Sequence, residues 1–131
     1  MLPARHRMRR SDDFSDAVRR GARSGASRVV VHLRLARQHP ETDQDGSTVL
    51  VGFIVPKSVG TAVHRNHVKR RLRALMRDRL PQLPPGCRVV VRALPGAATA
   101  PFDALARDLD VALLAARRRA DGRRPAGRAG G

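Results

Sequence analysis

The chain has 131 residues and a formal net charge of +16, from 27 Lys and Arg against 11 Asp and Glu. This length predicts one domain, and the absence of Trp and Tyr predicts an aliphatic core. The single cysteine, Cys87, excludes an internal disulfide and indicates a buried thiol in a reducing compartment. Because the basic N-terminus lacks a following apolar stretch, we predict no signal peptide, no membrane span and a cytoplasmic protein.

The first elements in the chain are predicted to be a short helix and a linker. Ser11 is suited to an N-cap, acids follow it in the first turn, and Gly21 supplies a stop. These signals predict a helix over residues 11–20. Residues 22–27 are mostly small side chains, which we interpret as a linker.

Two strands come next, over residues 28–36 and 48–55. The polar, turn-rich segment 38–47 separates them, so we expect an antiparallel hairpin with a long loop. The first strand has one uniformly apolar face and one mixed face that includes His32. We therefore expect the mixed face to be partly exposed to water.

The second half of the chain predicts helix, strand and helix. A basic helix covers residues 65–79, prolines end it, and a strand follows over 88–94. Together with the strand at 48–55, this order suggests a β-α-β unit with parallel pairing. Thr99 is the expected N-cap of a last amphipathic helix.

These elements predict an α+β fold: one small mixed sheet of about four strands, with helices mainly on one face. The folded domain is expected to cover residues 1–119. The segment 120–131 is basic and has no apolar periodicity, so we predict a disordered tail.

The helix at 65–79 carries the clearest functional signal, since seven of its 15 residues are cations and one is an acid. At about 100° per residue, one arc of about 140° is polar and the neighbouring arc is apolar. The polar arc consists of Arg65, Asn66, Lys69, Arg70, Arg73 and Arg77, and the apolar stripe of Val68, Leu72, Leu75 and Met76. Like charges on successive turns repel, so this face favours a nucleic-acid surface over a solvated one.

Carboxylates that could hold Mg²⁺ for catalysis are few. Asp12, Asp13 and Asp16 lie in the first turns of the first helix, where the helix dipole accounts for them without a metal. No nucleophile motif or phosphate-cradling glycine loop is present. We predict no catalytic residue and no metal ligand in this chain.

Three histidines need separate interpretation. His64 and His67 have a spacing that suits two metal ligands, but no third ligand is near, so they are interpreted as RNA contacts. His32 is either a surface histidine with ordinary partners or a ring that stacks on a base. The sequence leaves both readings open.

Two blocks of sequence carry a resemblance to a known family. They are S-D-D-F-S-D-A-V at 11–18 and G-F-I-V-P-K-S-V-G-T-A-V-H-R-N-H-V-K-R-R-L-R at 52–73. The chain resembles the protein subunit of bacterial ribonuclease P over most of residues 2–116. The resemblance implies an α-β-β-β-α-β-α domain with a left-handed crossover through the basic helix, a fold shared with the second domain of a small-subunit ribosomal protein.

The resemblance also implies a function. In that family a large catalytic RNA, using Mg²⁺, removes the 5′ leader of precursor tRNA, and the protein assists. The implied partners are ribonuclease P RNA and precursor tRNA, without a membrane or a small-molecule substrate. The residues implied to contact the catalytic RNA are Arg65, Asn66, Lys69, Arg70 and Arg73, with Arg77, Lys57 and His67 beside them. Those implied near the leader, in a cleft between the first helix and the sheet, are Phe14, Val18, His32 and Arg34.

This sequence departs from the family pattern at several of these positions. Val18 and His32 stand where aromatic residues are common, and Pro56 and Ser58 flank Lys57 in place of a serine and a lysine. Fewer aromatic faces weaken base stacking, so we expect leader binding to depend more on phosphate charge and on salt.

Two alternatives remain at this point. A structural ribosomal protein would also be small, basic and α+β, so charge alone does not separate it from a ribonuclease P subunit. An autonomous nuclease is disfavoured by the scarcity of convergent carboxylates and histidines. Phe14 is equally ambiguous, since its ring suits either the core or the cleft.

Overall fold

The computed structural model describes residues 2–35 and 48–122. Within them, three helices and four strands follow the order α-β-β-β-α-β-α that the resemblance implied. The elements are α1 (Ser11–Arg20), β1 (Ala22–Gly25), β2 (Val29–Arg34), β3 (Leu50–Ile54), α2 (Ala62–Arg79), β4 (Arg88–Ala93) and α3 (Phe102–Gly122). The predicted α+β class is confirmed. In the described ranges, no helix has both the length and the apolar character that crossing a bilayer requires.

The strands form one mixed sheet in the order β1-β2-β4-β3. β3 and β4 pair in parallel, as the strand-helix-strand pattern predicted, and the other neighbours are antiparallel. The predicted hairpin between β2 and β3 is wrong, because β4 lies between them. Apolar faces predict that a strand is buried but do not specify its partner. The predicted loop at 38–47 lies outside the described residues.

The predicted linker after α1 is a strand. β1 pairs with β2 from Ala22 opposite Leu33 to Gly25 opposite Val30, and the amide of Ala26 donates to the Val29 carbonyl at the turn. Small residues have weak strand propensity, so the local pattern predicted a loop. Here the pairing with a buried neighbour strand outweighs that propensity.

The main core lies between one face of the sheet and the helices α2 and α3, and it is aliphatic as predicted. The predicted apolar stripe of α2 supplies four buried side chains, namely Val68, Leu72, Leu75 and Met76. Cys87 is a free, fully buried thiol in the same core. Burial raises its pKa to about 12.

The opposite face of the sheet packs against α1. Ala17 and Val90 are buried in this second, smaller cluster, and His32 is only 5% exposed. The expectation that this face of β2 would be partly wet is therefore wrong for His32, because α1 covers it. Gly21 permits the close approach, since a Cβ there would lie 2.4 Å from the Ala17 carbonyl oxygen.

The helix ends differ from the predictions by a few residues. Ser11 is the first helical residue of α1 and Arg10 holds the N-cap position, without a side-chain cap hydrogen bond. α3 begins at Phe102, so Thr99 is not its cap. α3 also continues to Gly122, which makes the first three residues of the predicted tail helical. The remaining tail, 123–131, lies outside the described residues.

Candidate RNA-binding surface

The polar arc of α2 is presented at the surface. Thr61 caps the helix by accepting a hydrogen bond from the His64 amide at 3.3 Å. Arg65 is held at the start of the arc, where its Nε donates to the Val55 carbonyl at 3.3 Å. Three residues of the arc are exposed, namely Asn66, Arg70 and Arg77. The other three, Arg65, Lys69 and Arg73, are half-buried. Lys57 and His67, which lie beside the arc, are exposed.

The four cations Lys69, Arg70, Arg73 and Arg77 make no ion pair with any described residue. Two other arginines of α2 lie outside the arc and are engaged within the protein. Arg71 donates to the Ala100 carbonyl at 2.8 Å, and Arg79 donates through Nη2 to Asp110 at 3.1 Å. The helix therefore separates structural cations from cations available to a polyanion.

A cavity of about 370 Å³ adjoins this basic arc. It lies between the N-terminal segment, the start of α1, the edge strand β3 and α2. Four cations line it without an acid, namely Arg7, Arg9, Lys69 and Arg73. Its charge suits an anionic strand more than a neutral ligand.

Phe14 contributes an aromatic ring to the same cavity. The ring lies against Gly52 of β3, where a Cβ would be 2.4 Å from the ring Cε1. Phe14 is half-buried, and Val18 one turn later is half-buried beside it. The ring is thus partly packed on the sheet and partly available in the cavity, which explains why sequence could not assign it to one role.

Arg34, which the resemblance placed near the leader, is engaged by α1. Its Nε donates to Asp16 Oδ2 at 2.8 Å. Next to it on β4, Arg88 pairs with Asp13 at 3.2 Å, and both of these side chains are nearly buried. The acids of α1 therefore bind arginines of the sheet, a role that the helix dipole alone did not predict.

These carboxylates do not fit a Mg²⁺ site, because each is already paired with an arginine guanidinium of the sheet, Asp13 with Arg88 and Asp16 with Arg34. Nowhere in residues 2–35 and 48–122 do three His, Cys, Asp or Glu side chains converge as metal ligands would. His64 is engaged locally, with its Nδ1 3.2 Å from the Thr61 hydroxyl.

His32 lies beneath α1 with its Nδ1 buried and without a hydrogen-bond partner. Burial, and then the charges of Arg23 and Arg92, lower its pKa below 6.5. The ring is consequently neutral at neutral pH. It is not the ordinary surface histidine that one of the two sequence interpretations described.

A second cavity, of about 580 Å³, lies between the end of α2 and α3. Its charged lining is mixed, with Asp78 and Asp110 alongside Arg79 and Arg117. Although it is larger, acids in its wall make it less suitable for RNA than the cavity at Phe14.

The family model for ribonuclease P matches residues 2–117. The chain belongs to the bacterial ribonuclease P protein family. The ribonuclease P protein component of Streptomyces griseus is 58% identical over 116 residues, which cover 86% of this chain and 93% of that protein. The corresponding protein of Kocuria rhizophila is 53% identical over 119 residues, covering 91% of this chain and 98% of that protein.

Solved ribonuclease P proteins share the fold. The structure from Staphylococcus aureus at 2.0 Å superposes with a TM-score of 0.71 at 22% identity, covering 86% of this chain and 95% of that one. The structure from Thermotoga maritima gives 0.65 at 24% identity, covering 87% and 97%. Membership of the ribonuclease P family implies a role in processing tRNA 5′ ends in association with ribonuclease P RNA. It also favours ribonuclease P over the ribosomal alternative.

The cavity cations Arg7 and Arg9 are not among the site residues predicted from the sequence. The basic N-terminus is the sequence signal that could have indicated them. The structure places them there because Met8 donates its amide to the Val51 carbonyl at 2.9 Å and extends the β3 edge. Pairing of this kind is not encoded in local periodicity.

Proposed function

We propose that the basic R-N-x-x-K-R-x-x-R face of α2 docks on the catalytic RNA of ribonuclease P. The observation that carries this proposal is the absence of acid partners for the arc cations within the described chain, while Arg71 and Arg79 of the same helix are paired. Unpaired cations on neighbouring turns repel one another, and binding to phosphates relieves that repulsion. Lys57 and His67 extend the same contact surface.

The cavity at Phe14 is proposed to receive the single-stranded 5′ leader of precursor tRNA. A half-buried aromatic ring offers a base a stacking surface, and four lining cations attract the backbone. Lys69 and Arg73 belong to both the arc and the cavity lining, so one continuous surface would hold catalytic RNA and leader together. Val18 and His32 lie further along α1 and the sheet, and Arg34 would act through its pairing with Asp16.

The holoenzyme is an endoribonuclease whose Mg²⁺-dependent chemistry is proposed to belong to the RNA. The pairing of Asp13 and Asp16 with arginines supports this division, because it engages the two carboxylates that α1 turns towards the sheet. The protein's part is to bind, orient and neutralise phosphate charge. The free thiol of Cys87 suits the cytoplasm, which is the compartment we propose.

A reconstitution experiment tests this assignment. Purified protein, ribonuclease P RNA and both together are incubated with precursor tRNA over a range of Mg²⁺ concentrations. We expect cleavage by the RNA at high Mg²⁺, cleavage by the complex at lower Mg²⁺, and none by the protein. Cleavage by the protein alone would refute the proposed division of labour.

Salt dependence gives a second test of leader binding. The holoenzyme's affinity for precursor tRNA is compared with its affinity for mature tRNA at rising salt. We expect the ratio of the two affinities to decline, because phosphate contacts dominate where Val18 and His32 replace aromatic residues. If the ratio of precursor to mature tRNA affinity does not change with salt, the hypothesis that phosphate contacts dominate leader binding is contradicted.

A further inference from the structure

Phe102, the first residue of α3, carries an aromatic ring at the protein surface. The chain has three Phe and no Trp or Tyr. The other two are partly buried, Phe53 against the main core and Phe14 against the smaller cluster beneath α1. Phe102 is 48% exposed. A single exposed apolar side chain is common in proteins, so its surroundings decide whether this ring has a role.

Arg71 of α2 lies over one face of this ring. Its guanidinium carbon is 5.6 Å from the ring centroid, and the π electrons of the ring attract the cation. The guanidinium is itself held in place, because Nη2 donates to the Ala100 carbonyl at 2.8 Å, two residues before Phe102. The contact limits the positions of the ring. A ligand would therefore approach Phe102 from the side that Arg71 does not cover.

The flank of α2 connects this ring to the basic arc. His67 and Arg71 lie one turn apart on that flank, next to the arc residue Arg70. His67 and Arg70 are exposed, and Arg70 makes no ion pair within the ranges that the structure describes. The accessible surface of α2 therefore continues from the arc, through His67, to Arg71 and the ring of Phe102.

The chemistry around Phe102 favours a nucleic-acid base over a phosphate. The ring offers a π face and no hydrogen-bond donor. The next residue, Asp103, is an exposed acid that disfavours a phosphate, and Arg107 lies 3.8 Å from its carboxylate. An unpaired base stacks on an aromatic face without needing a donor or a countercharge, and structured RNAs present such bases in loops and bulges.

We propose that Phe102 is a stacking platform for one unpaired base of the catalytic RNA. The platform rests on the docking of the α2 face proposed above, and it adds a base contact to a surface otherwise made of phosphate contacts. Arg71 packs behind the ring and does not touch the base. The leader is not the occupant, because Lys69 and Arg73 line the Phe14 cavity and Arg71 projects about 200° around α2 from both of them.

The test measures the affinity of the purified protein for ribonuclease P RNA. Phe102→Leu removes the ring but keeps an apolar, helix-forming side chain, and it is expected to lose about tenfold in affinity. Phe102→Trp offers a larger ring and should bind at least as tightly as wild type. Neither variant changes a charge, so the salt slope should stay the same. The control is Val111→Ala, at an exposed apolar residue of the same helix, which should bind like wild type.

Each outcome bears on a different statement. If Arg70→Ala leaves assembly with ribonuclease P RNA unchanged, docking of the α2 face is itself refuted. If Arg70→Ala weakens assembly and Phe102→Leu binds like Val111→Ala, the stacking platform is refuted. Equal losses in Phe102→Leu and Phe102→Trp also refute it, because a larger ring should still stack.

The choice of partner and the folding of the variants are checked separately. If Phe102→Leu weakens only the binding of precursor tRNA by the holoenzyme, the base belongs to the tRNA and the assignment to the catalytic RNA is refuted. Urea denaturation of each variant measures whether it is folded. Should Phe102→Leu be unstable, Phe102→Met, which also removes the ring, is measured in the same way.

Discussion

Two basic regions of this protein use their arginines in opposite ways. On α2, Arg70 and Arg73 make no ion pair within the described chain and are held at the surface by an apolar stripe beneath them. On the sheet beneath α1, Arg34 and Arg88 are bound by Asp16 and Asp13. Net charge is therefore not a measure of the charge that RNA can reach. The acids packed against each cation decide which arginines are paired inside the protein and which are left for a partner.

The largest effect, on stability, is expected from removing the ion pair between Asp13 of α1 and Arg88 of the sheet. Asp13→Ala leaves the nearly buried Arg88 with only a longer contact to Asp16, at 4.0 Å, which is expected to lower the unfolding free energy by about 3 kcal/mol. Urea denaturation of the isolated protein measures this. The matched control is Arg70→Ala, at an exposed residue that makes no ion pair with the residues the structure describes. It should leave stability unchanged within about 0.5 kcal/mol. If the two variants have equal unfolding free energies, the Asp13–Arg88 ion pair does not contribute to stability.

The next effect concerns docking on the catalytic RNA. Arg70→Ala should weaken assembly with ribonuclease P RNA by about 2 kcal/mol and reduce the salt slope by about 1. Arg71→Ala removes the same charge from the same helix but from a residue bound to the Ala100 carbonyl, so it should cost stability and little affinity. Filter binding at several salt concentrations compares them. If both variants lose the same affinity for RNA, the proposed distinction between RNA-binding and structural cations on α2 is contradicted.

A smaller effect is expected at the Phe14 cavity, which borders both regions. Phe14→Leu keeps an apolar group on Gly52 but removes the stacking surface, so precursor affinity should fall by about 1 kcal/mol, with mature tRNA unaffected. Equilibrium binding of both tRNAs to the holoenzyme gives the two values. A loss of stability with unchanged precursor affinity would assign the ring to the core.

The smallest effect concerns His32, whose pKa is lowered by burial and by Arg23 and Arg92. Because the folded pKa lies below the unfolded value, the unfolded chain binds more protons as pH falls through that value. The stability contributed by His32 is therefore present above about pH 6.5 and is lost as pH falls towards the folded pKa. Denaturation of wild type and His32→Gln at about pH 7 and about pH 5 should show a smaller pH dependence in the variant. An identical pH dependence would contradict the lowered pKa.

Helical periodicity by itself determined which side chains of α2 are buried and which lie at the surface. Val68, Leu72, Leu75 and Met76 are buried as their spacing predicted, and the basic arc lies beside them at the surface. Such a pattern is local: it depends on the 3.6-residue repeat and on side chains within a few turns. The motif in the same segment also pointed to the family that the comparisons identified.

Only the tertiary structure decided how the remaining elements meet. The pairing of β1, the position of β4 between β2 and β3, and the capture of Arg34 and Arg88 by α1 all join residues distant in sequence. No local pattern encodes such contacts. The backbone edges of an apolar strand can pair with several partners, and an aspartate near a helix start can interact with the helix dipole or with a distant arginine. The sequence alone therefore determined which helix carries the charge, and the packing of α1 on the sheet decided which of the sheet arginines are paired and which are exposed.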